Sequence, residues 1–405
     1  VIVGVIVAAG RAALAQCTYS VTFVGGFDCG PGWGNATLIP QKINDLGHAT
    51  GHYICGAGWP RGFIYTPEDG VVPMGVIPNT FQIRPQAISN SDVIVGHIDL
   101  VGVPTQAFIW EKGEYTLLPP PKGAIWSYAY GVNDAGIVCG SAGNPGDLEA
   151  CMWTGGVLEF LGPLPVKGSV AYDLNLNQQT VGQMGQVTIN DLSTFDALGF
   201  LWENREVTAL VPPVAWLGSK AKEIDQFGIA AGTGWFEDAG APAGFAARGL
   251  LWEESNVLAL DPLPGYLMGC AALASNSVQE VVGECRNNPG DGSEPFIWRD
   301  GAVHNVNELV DEGFDGLVYQ AHSINESGTI VASGVDYRSG GWGMLILTPQ
   351  TQSPADLNHD CHTNSSDLVL LLAQWGAASA TAADFDGDGV VGPADLAALL
   401  AEWTD

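Results

Sequence analysis

From residue 18 to about 348 the apolar residues fall in short alternating runs cut by Gly, Asn and Asp, the pattern of short antiparallel strands. The runs repeat. A unit of roughly 45 residues recurs seven times: a first strand, a polar turn, a second strand ending in Gly, a variable loop, and a third strand with an aromatic cluster. Instances are "KINDLGHATG" with "GFIY", "AISNSDVIVG" with "AFIW", "GVNDAGIVCG" with "CMW" and "SINESGTIVASG" with "MLIL". The third-strand markers are Tyr65, Trp110, Trp153, Trp202, Trp252, Trp298 and Ile346, spaced 43 to 50 residues apart. A turn and a short apolar segment such as "YTLLP" then supply a fourth strand, which gives the sheet size of a propeller blade. The seventh unit lacks that segment, and an unmatched strand, "TYSVTFVG", precedes the first unit. The fold class expected is all-β: a seven-bladed β-propeller over residues 18–348, closed by its N-terminal strand so that no sheet edge stays open.

After a linker at 349–355 the pattern changes to acidic loops, each followed by an apolar segment of helical period. They are "DLNHDCHTNSSD" before "LVLLLAQW" and "DFDGDGVVGPAD" before "LAALLAEW". Both put oxygen-bearing side chains at loop positions 1, 3, 5 and 12, which suits a hard cation taking about six to eight oxygens. Calcium fits better than magnesium, and two Ca2+ sites are expected. Ligands in the first loop are Asp356, Asn358, Asp360 and Asp367, with the His362 carbonyl and with Asn364 directly or through water. In the second they are Asp384, Asp386, Asp388 and Asp395, with the Val390 carbonyl. Gly389 stands where the loop turns sharply; Cys361 replaces it in the first loop.

Acidic residues outnumber basic ones by 44 to 14, so the chain carries a formal charge of -30 and repels phosphate backbones and anionic headgroups. Nucleic acid and membrane-surface partners are not expected, and no run is long enough to span a bilayer. Residues 1–15 resemble the apolar part of a secretory signal, which implies a secreted, extracellular or cell-surface protein. Leu14 to Cys17 loosely matches a lipid-attachment site, a minor alternative. Among the eight cysteines, Cys139 with Cys151 and Cys270 with Cys285 lie on segments that a hairpin brings together.

Two family resemblances follow from these motifs. The repeats resemble the exported proteins named for a His-Ala-Phe signature in the third strand, here drifted to "QAF" at 106–108 and "EPF" at 294–296. That resemblance implies a propeller-like fold and no particular reaction. The paired loops, 28 residues apart and each followed by a helix, resemble the dockerin type I domain over residues 356–405. It implies a small all-α, EF-hand-like module that folds on calcium and binds a cohesin on another protein. Partner choice would fall to Ser365 and Ser366 and to Pro393 and Ala394, which differ between the halves. A calcium-stabilised structural tail is the alternative.

No hydrolase elbow or phosphate-cradling loop is present. His48, His52 and Cys55 lie close in sequence but on a strand, with Cys55 on the other face, so zinc is not expected. Asp45, Asp134 and Asp225 read as turn formers. Trp110, Trp153, Trp202, Trp252 and Trp298 recur at one repeat position and should pack between blades. Trp33, Trp59, Trp126, Trp216, Trp235 and Trp342 fall in loops expected on one side of the disc, a candidate ligand face for carbohydrate or peptide. The reading favours a secreted, non-catalytic binding or scaffold protein tethered through its tail. The alternative is a carbohydrate-active enzyme, a glycosidase or polysaccharide lyase, on the propeller.

Overall fold

The computed structural model describes residues 17–403 apart from 33, 163, 165–167, 186–196, 214–215, 243, 255, 288–291, 300, 351–352, 358–362, 377–382 and 388. Seven four-stranded sheets form, and six of them take four consecutive strands each. Blade 1 runs from Thr37–Ile43 through Ala49–Ile54 and Arg61–Thr66 to Gly70–Pro73. Blade 7 joins Gly316–Ile324, Ile330–Asp336 and Gly341–Gln350 to the N-terminal strand Thr18–Val24. The repeat count and the closure by a distant strand are therefore as the sequence implies. The segment proposed as a signal peptide, residues 1–15, lies outside the described residues.

Apolar burial sits between successive blades. Trp153 of blade 3 packs with Val95, Ala107 and Leu118 of blade 2, and Trp202 of blade 4 packs with Ile137 and Met152 of blade 3. Trp252 and Trp298 repeat this between blades 4 and 5 and blades 5 and 6, and Tyr65 meets Met344 and Ile346 where blade 1 adjoins blade 7. A large ring at one repeat position thus fills the wedge in six blades, with Ile346 in its place in blade 7, and deleting one such buried aromatic costs about 3–5 kcal/mol.

A second bonding system runs around the ring at the turn after each inner strand. The turn residue is Asn44, Ser89, Asn133, Asn175, Asp225, Asn276 or Asn325 in blades 1 to 7. Its oxygen accepts N–H groups of its own turn, as Asn133 Oδ1 does from Ala135 and Ile137. Its amide reaches the next blade: Asn44 Nδ2 donates to Ser89 O (2.9 Å), Asn133 to Asn175 O (3.0 Å) and Asn175 to Asp225 O (2.9 Å). Asn276 donates to Asn325 O (3.2 Å), and Asn325 returns to Asn44 O (3.0 Å). The following residue links backwards: Asn90 accepts from Asp45 N, Asp134 from Asn90 N, Gln226 from Leu176 N, Glu326 from Ser277 N and Asp45 from Glu326 N. Asp45 and Asp134 are therefore inter-blade links, beyond the turn-forming role expected for them.

Every inner strand also carries a β-bulge three residues before its belt residue, at 41, 86, 130, 172, 222, 273 and 322. The bulge turns that one side chain into the channel. It also pushes the inner strand against its neighbour: a Cβ on Gly140 would lie 1.9 Å from Tyr128 O, and one on Gly232 2.0 Å from Lys220 O. The second-strand glycine of blades 1 to 6, Gly51, Gly96, Gly140, Gly182, Gly232 and Gly283, is explained by this close approach; blade 7 has Ala332 there.

The chain divides into two compact units, residues 21–348 and a smaller one that includes residues 349–405. In the smaller unit two helices, Ser365–Ala373 and Pro393–Ala401, bury Ala355, Leu371, Ala383, Val391 and Leu399. Among the described residues no helix is long and apolar enough to cross a membrane. Cys270 is bonded to Cys285 as the hairpin suggests, and Cys29 is bonded to Cys55. Cys17 is disulfide-bonded, which removes the thiol a lipid would need. Cys139 and Cys151 are buried free thiols, contrary to expectation. Cys139 pairs across the strands with Met152, and Cys151 with Gly140, so a one-residue offset puts the two sulfurs on opposite faces of the sheet.

Blade 5 breaks the belt with a carboxylate. Asp225 Oδ1 accepts from Phe227 and Ile229, while Oδ2, where other blades hold the amide donor, is buried without a partner. Burial raises its pKa above the ordinary carboxylate range, against the pull of the turn N–H groups. A raised carboxylate supplies stability below its unfolded pKa that is lost as pH rises through the folded one. Asp225→Asn should therefore stabilise the fold by about 1 kcal/mol, one added hydrogen bond, with a larger gain at neutral pH than near pH 4. Thermal melts at the two pH values check this.

Candidate functional site

The bulge residues form one ring inside the propeller: Gln41, Gln86, Tyr130, Tyr172, Lys222, Leu273 and His322 all line a central cavity of about 350 Å3. Amides, phenols, an ammonium and an imidazole thus converge, one from each blade, with one leucine. Behind the ring lies a layer of charge. Lys42 of blade 1 reaches across the channel to Glu223 of blade 5, and Asp173 of blade 4 borders the same cavity. Asp173 Oδ2 also accepts the Ile224 N–H at 3.0 Å. Burial lowers the Lys42 pKa against the pull of Asp173 and other acids, and burial raises that of Asp173 against the pull of Lys42.

One wall is aromatic. The inner strand of blade 3, Trp126–Val132, reads "WSYAYGV", so Trp126, Tyr128 and Tyr130 share its channel face at period two. Their ring centroids are 6.4 and 6.3 Å apart in succession, and Tyr130 meets Tyr172 edge-on at 5.6 Å. The Lys222 ammonium lies 4.2 Å from the Tyr172 ring centroid. His97 packs edge-on to Tyr128 at 5.2 Å. All four rings of this ladder are half-buried, with faces available to a ligand.

Two titrating groups of the ring, His322 and Tyr130, are driven to their neutral forms. Burial, then the proximity of His52, lowers the His322 pKa to about 4, and its Nε2 lies 2.6 Å from Ser333 Oγ. Burial raises the Tyr130 phenol well above its ordinary range, with Tyr172 and Tyr128 adding to it. At neutral pH the site therefore offers an imidazole able to accept a proton opposite a phenol able to donate one.

The loop tryptophans fall where inner strands begin, second strands end and third strands begin, which is one end of the antiparallel sheets. Trp59, 54% exposed, lies against Phe81 at 4.0 Å; Trp216 lies against Phe236 at 5.0 Å and Trp342 against Tyr319 at 5.0 Å. Trp235 is buried at 8% exposure with Lys220 over its ring, so it presents no face to a ligand, contrary to expectation. Trp33 lies outside the described residues. Tyr128, Tyr130, Tyr172, Lys222 and His322 escaped the sequence reading because a bulge breaks the alternation that assigns strand faces. The usable signal is the fixed offset of three residues before each turn Asn.

In the small unit Asp384, Asp386 and Asp395 place carboxylate oxygens within 4.8 Å of one another, an acidic cluster able to hold a metal ion. Asp395 Oδ1 accepts from Phe385 (2.7 Å) and Asp386 (3.2 Å), and Oδ2 from Gly392 (2.7 Å). These N–H groups, Gly392 first, hold its carboxyl below the usual range. Gly389 adopts φ +86° and donates its N–H to Asp384 Oδ2. The first half repeats the frame: Asp367 accepts from Leu357 (2.7 Å) and Asn364 (2.8 Å). Asp356 is buried beside it, whereas Asn358, Asp360 and His362, and Asp388 in the second loop, lie outside the described residues. Val390 is exposed. Ser365 and Ser366 open the first helix and Pro393 and Ala394 the second, in equivalent positions.

No known family and no curated protein matches the chain. Solved structures share the fold alone. An oligogalacturonate lyase from Vibrio parahaemolyticus is 10% identical with a TM-score of 0.46, over 82% of this chain and 98% of that one. An ulvan lyase of a polysaccharide lyase family is 10% identical with a TM-score of 0.43, over 82% and 97%. A prolyl endopeptidase is 10% identical with a TM-score of 0.49, over 83% of this chain and 50% of that one. These structures include lyases and peptidases, against the expectation of a non-catalytic protein; a propeller fold by itself leaves catalysis open.

Removing the cation that crosses the channel would leave two carboxylates without it. Lys42→Met should cost about 3 kcal/mol in stability, and the double variant Lys42→Met with Glu223→Leu should recover most of that, as denaturant titration will show.

Proposed function

We propose that the protein is a carbohydrate-active enzyme whose channel binds a glycan chain along Trp126, Tyr128, Tyr130 and Tyr172. The observation that carries this reading is the half-buried aromatic ladder running into a ring of proton-transfer groups. Sugar rings stack their C–H faces on aromatic faces and hydrogen-bond at their edges, and the ring supplies Gln41, Gln86 and the phenols for those edges. Trp59, Trp216 and Trp342 extend the apolar platform at the mouth. In this reading His322 is the general base and Tyr130 the general acid, with Lys222 as the electrostatic partner of the reacting sugar. The channel fits an extended glycan better than a folded peptide.

The small unit acts as a calcium-binding, dockerin-type module that tethers the enzyme to a cohesin-bearing partner, on a secreted protein of the His-Ala-Phe repeat kind. Asp384 Oδ1, buried and without a hydrogen-bond partner, supports the fit of a cation to this loop. Asp384, Asp386, Asp388 and Asp395 with the Val390 carbonyl would hold one Ca2+. Asp356, Asn358, Asp360, Asn364 and Asp367 with the His362 carbonyl would hold a second. The ions would neutralise these carboxylates and fix the two helices; they take no part in glycan cleavage.

Activity on the cognate glycan should fall as pH drops through about 4, where His322 takes up its proton, and stay level above it until other groups titrate. His322→Gln should lower kcat by about 100-fold or more and abolish that acid limb. A retained limb in the variant counts against His322. Calorimetric titration of the full chain with calcium should show two binding events, and Asp384→Asn should remove or weaken one of them while leaving the propeller's melting temperature unchanged.

A further inference from the structure

We infer that the glycan taken by this channel carries carboxylates and that the channel cleaves it by elimination. The inference rests on the carbohydrate-active reading above and names the substrate class and the bond chemistry of that same site.

The first observation is the excess of basic residues on the inner strands. The seven inner strands hold four basic residues, Lys42, Arg84, Lys220 and Lys222, against two acidic ones, Asp173 and Glu223. Across the whole chain the balance is 14 basic to 44 acidic. Placing cations on a narrow wall of low dielectric costs energy, and an anionic ligand offsets that cost. Arg84 holds the inner-strand position that Ile39 and Gln320 use to line the cavity, and Lys222 belongs to the bulge ring itself.

The second observation is where the carboxylates are. Hydrolysis of a glycosidic bond generally uses two carboxyl groups flanking it. On the inner strands the only two are Glu223, joined to Lys42, and Asp173, which accepts the Ile224 N–H. Both border the cavity, but each is already held, Glu223 by the Lys42 ammonium and Asp173 by a backbone N–H, so neither is an unengaged member of a flanking pair. The ring offers an imidazole, phenols and an ammonium, and these are the groups elimination needs.

The Lys222 ammonium pairs with the sugar carboxylate and makes the adjacent C–H more acidic. Neutral His322 removes that proton, and the C–H electron pair becomes a carbon–carbon double bond. The glycosidic C–O bond at the neighbouring carbon breaks, and its oxygen takes the Tyr130 phenol proton. The products are an unsaturated uronate end and a new reducing end. Return of one proton from His322 through solvent to Tyr130 restores the enzyme, so no oxidant or co-reactant is consumed.

The test uses the full chain on polygalacturonate and alginate and on the same polymers with their carboxyl groups chemically reduced. Reducing ends and the ultraviolet absorbance of the conjugated double bond are followed together. The expected result is equal numbers of both on an acidic polymer and neither on its reduced form. Lys222→Gln should lower kcat/KM at least tenfold at an unchanged melting temperature, with Lys222→Arg partly restoring it. Reducing ends without double bonds overturn elimination but leave a carbohydrate-active channel. Equal action on the reduced polymers overturns the requirement for carboxylates. Failure to bind or cleave any of the four overturns the carbohydrate-active reading with it.

Discussion

One turn residue per blade, repeated around the ring, holds this propeller in register. Its side-chain oxygen closes its own turn, and in the five blades where it is Asn its amide donates to the backbone carbonyl of the equivalent turn in the next blade. The final link from Asn325 to Asn44 brings together residues 281 apart in sequence. Each such bond contributes only about 1 kcal/mol, and the aromatic wedges between blades contribute more. The belt's importance is positional. It fixes the height of every inner strand, and three residues before it each strand bulges and turns one side chain inward. A shift at the belt would rotate the whole set of channel residues out of the ring.

That constraint explains what could be read from the sequence. The blade count followed from the spacing of Tyr65, Trp110, Trp153 and their successors, because those rings obey strand alternation and must fill equivalent wedges. Closure followed from counting strands: a missing fourth strand at one end and a spare at the other. The catalytic candidates were hidden because bulges interrupt alternation. Tyr130, Tyr172 and His322 sit at positions that the period-two pattern does not assign to a face. The same sensitivity to register misled the pairing of Cys139 with Cys151, and Trp235 is buried with Lys220 over its ring. In the tail, oxygen spacing made Asp384, Asp386 and Asp395 legible as a cluster, since loop ligands follow local sequence rather than tertiary register.

The chemistry of the channel follows from burial as much as from residue type. Half-buried positions lower the pKa of His322 and raise that of Tyr130, so both are neutral at a pH where solvent would leave the imidazole partly charged. Lys42, with Glu223 and Asp173, sets a charged layer behind them. The acidic exterior and the basic inner wall then act in opposite senses on an anionic chain. Approach is opposed over most of the surface, including the belt end lined by Asp45, Asp134, Asp225 and Glu326, and is favoured only where Arg84, Lys220 and Lys222 stand on the inner strands.

The central claim is that the bulge ring and the aromatic ladder are the ligand site. A crystal structure of the protein with a uronate oligosaccharide tests it most directly. The account predicts sugar rings stacked along Trp126, Tyr128 and Tyr130, with a carboxylate at Lys222 and the scissile oxygen within hydrogen-bond reach of Tyr130. An oligosaccharide bound on the rim or an outer strand, with water filling the channel, would contradict it.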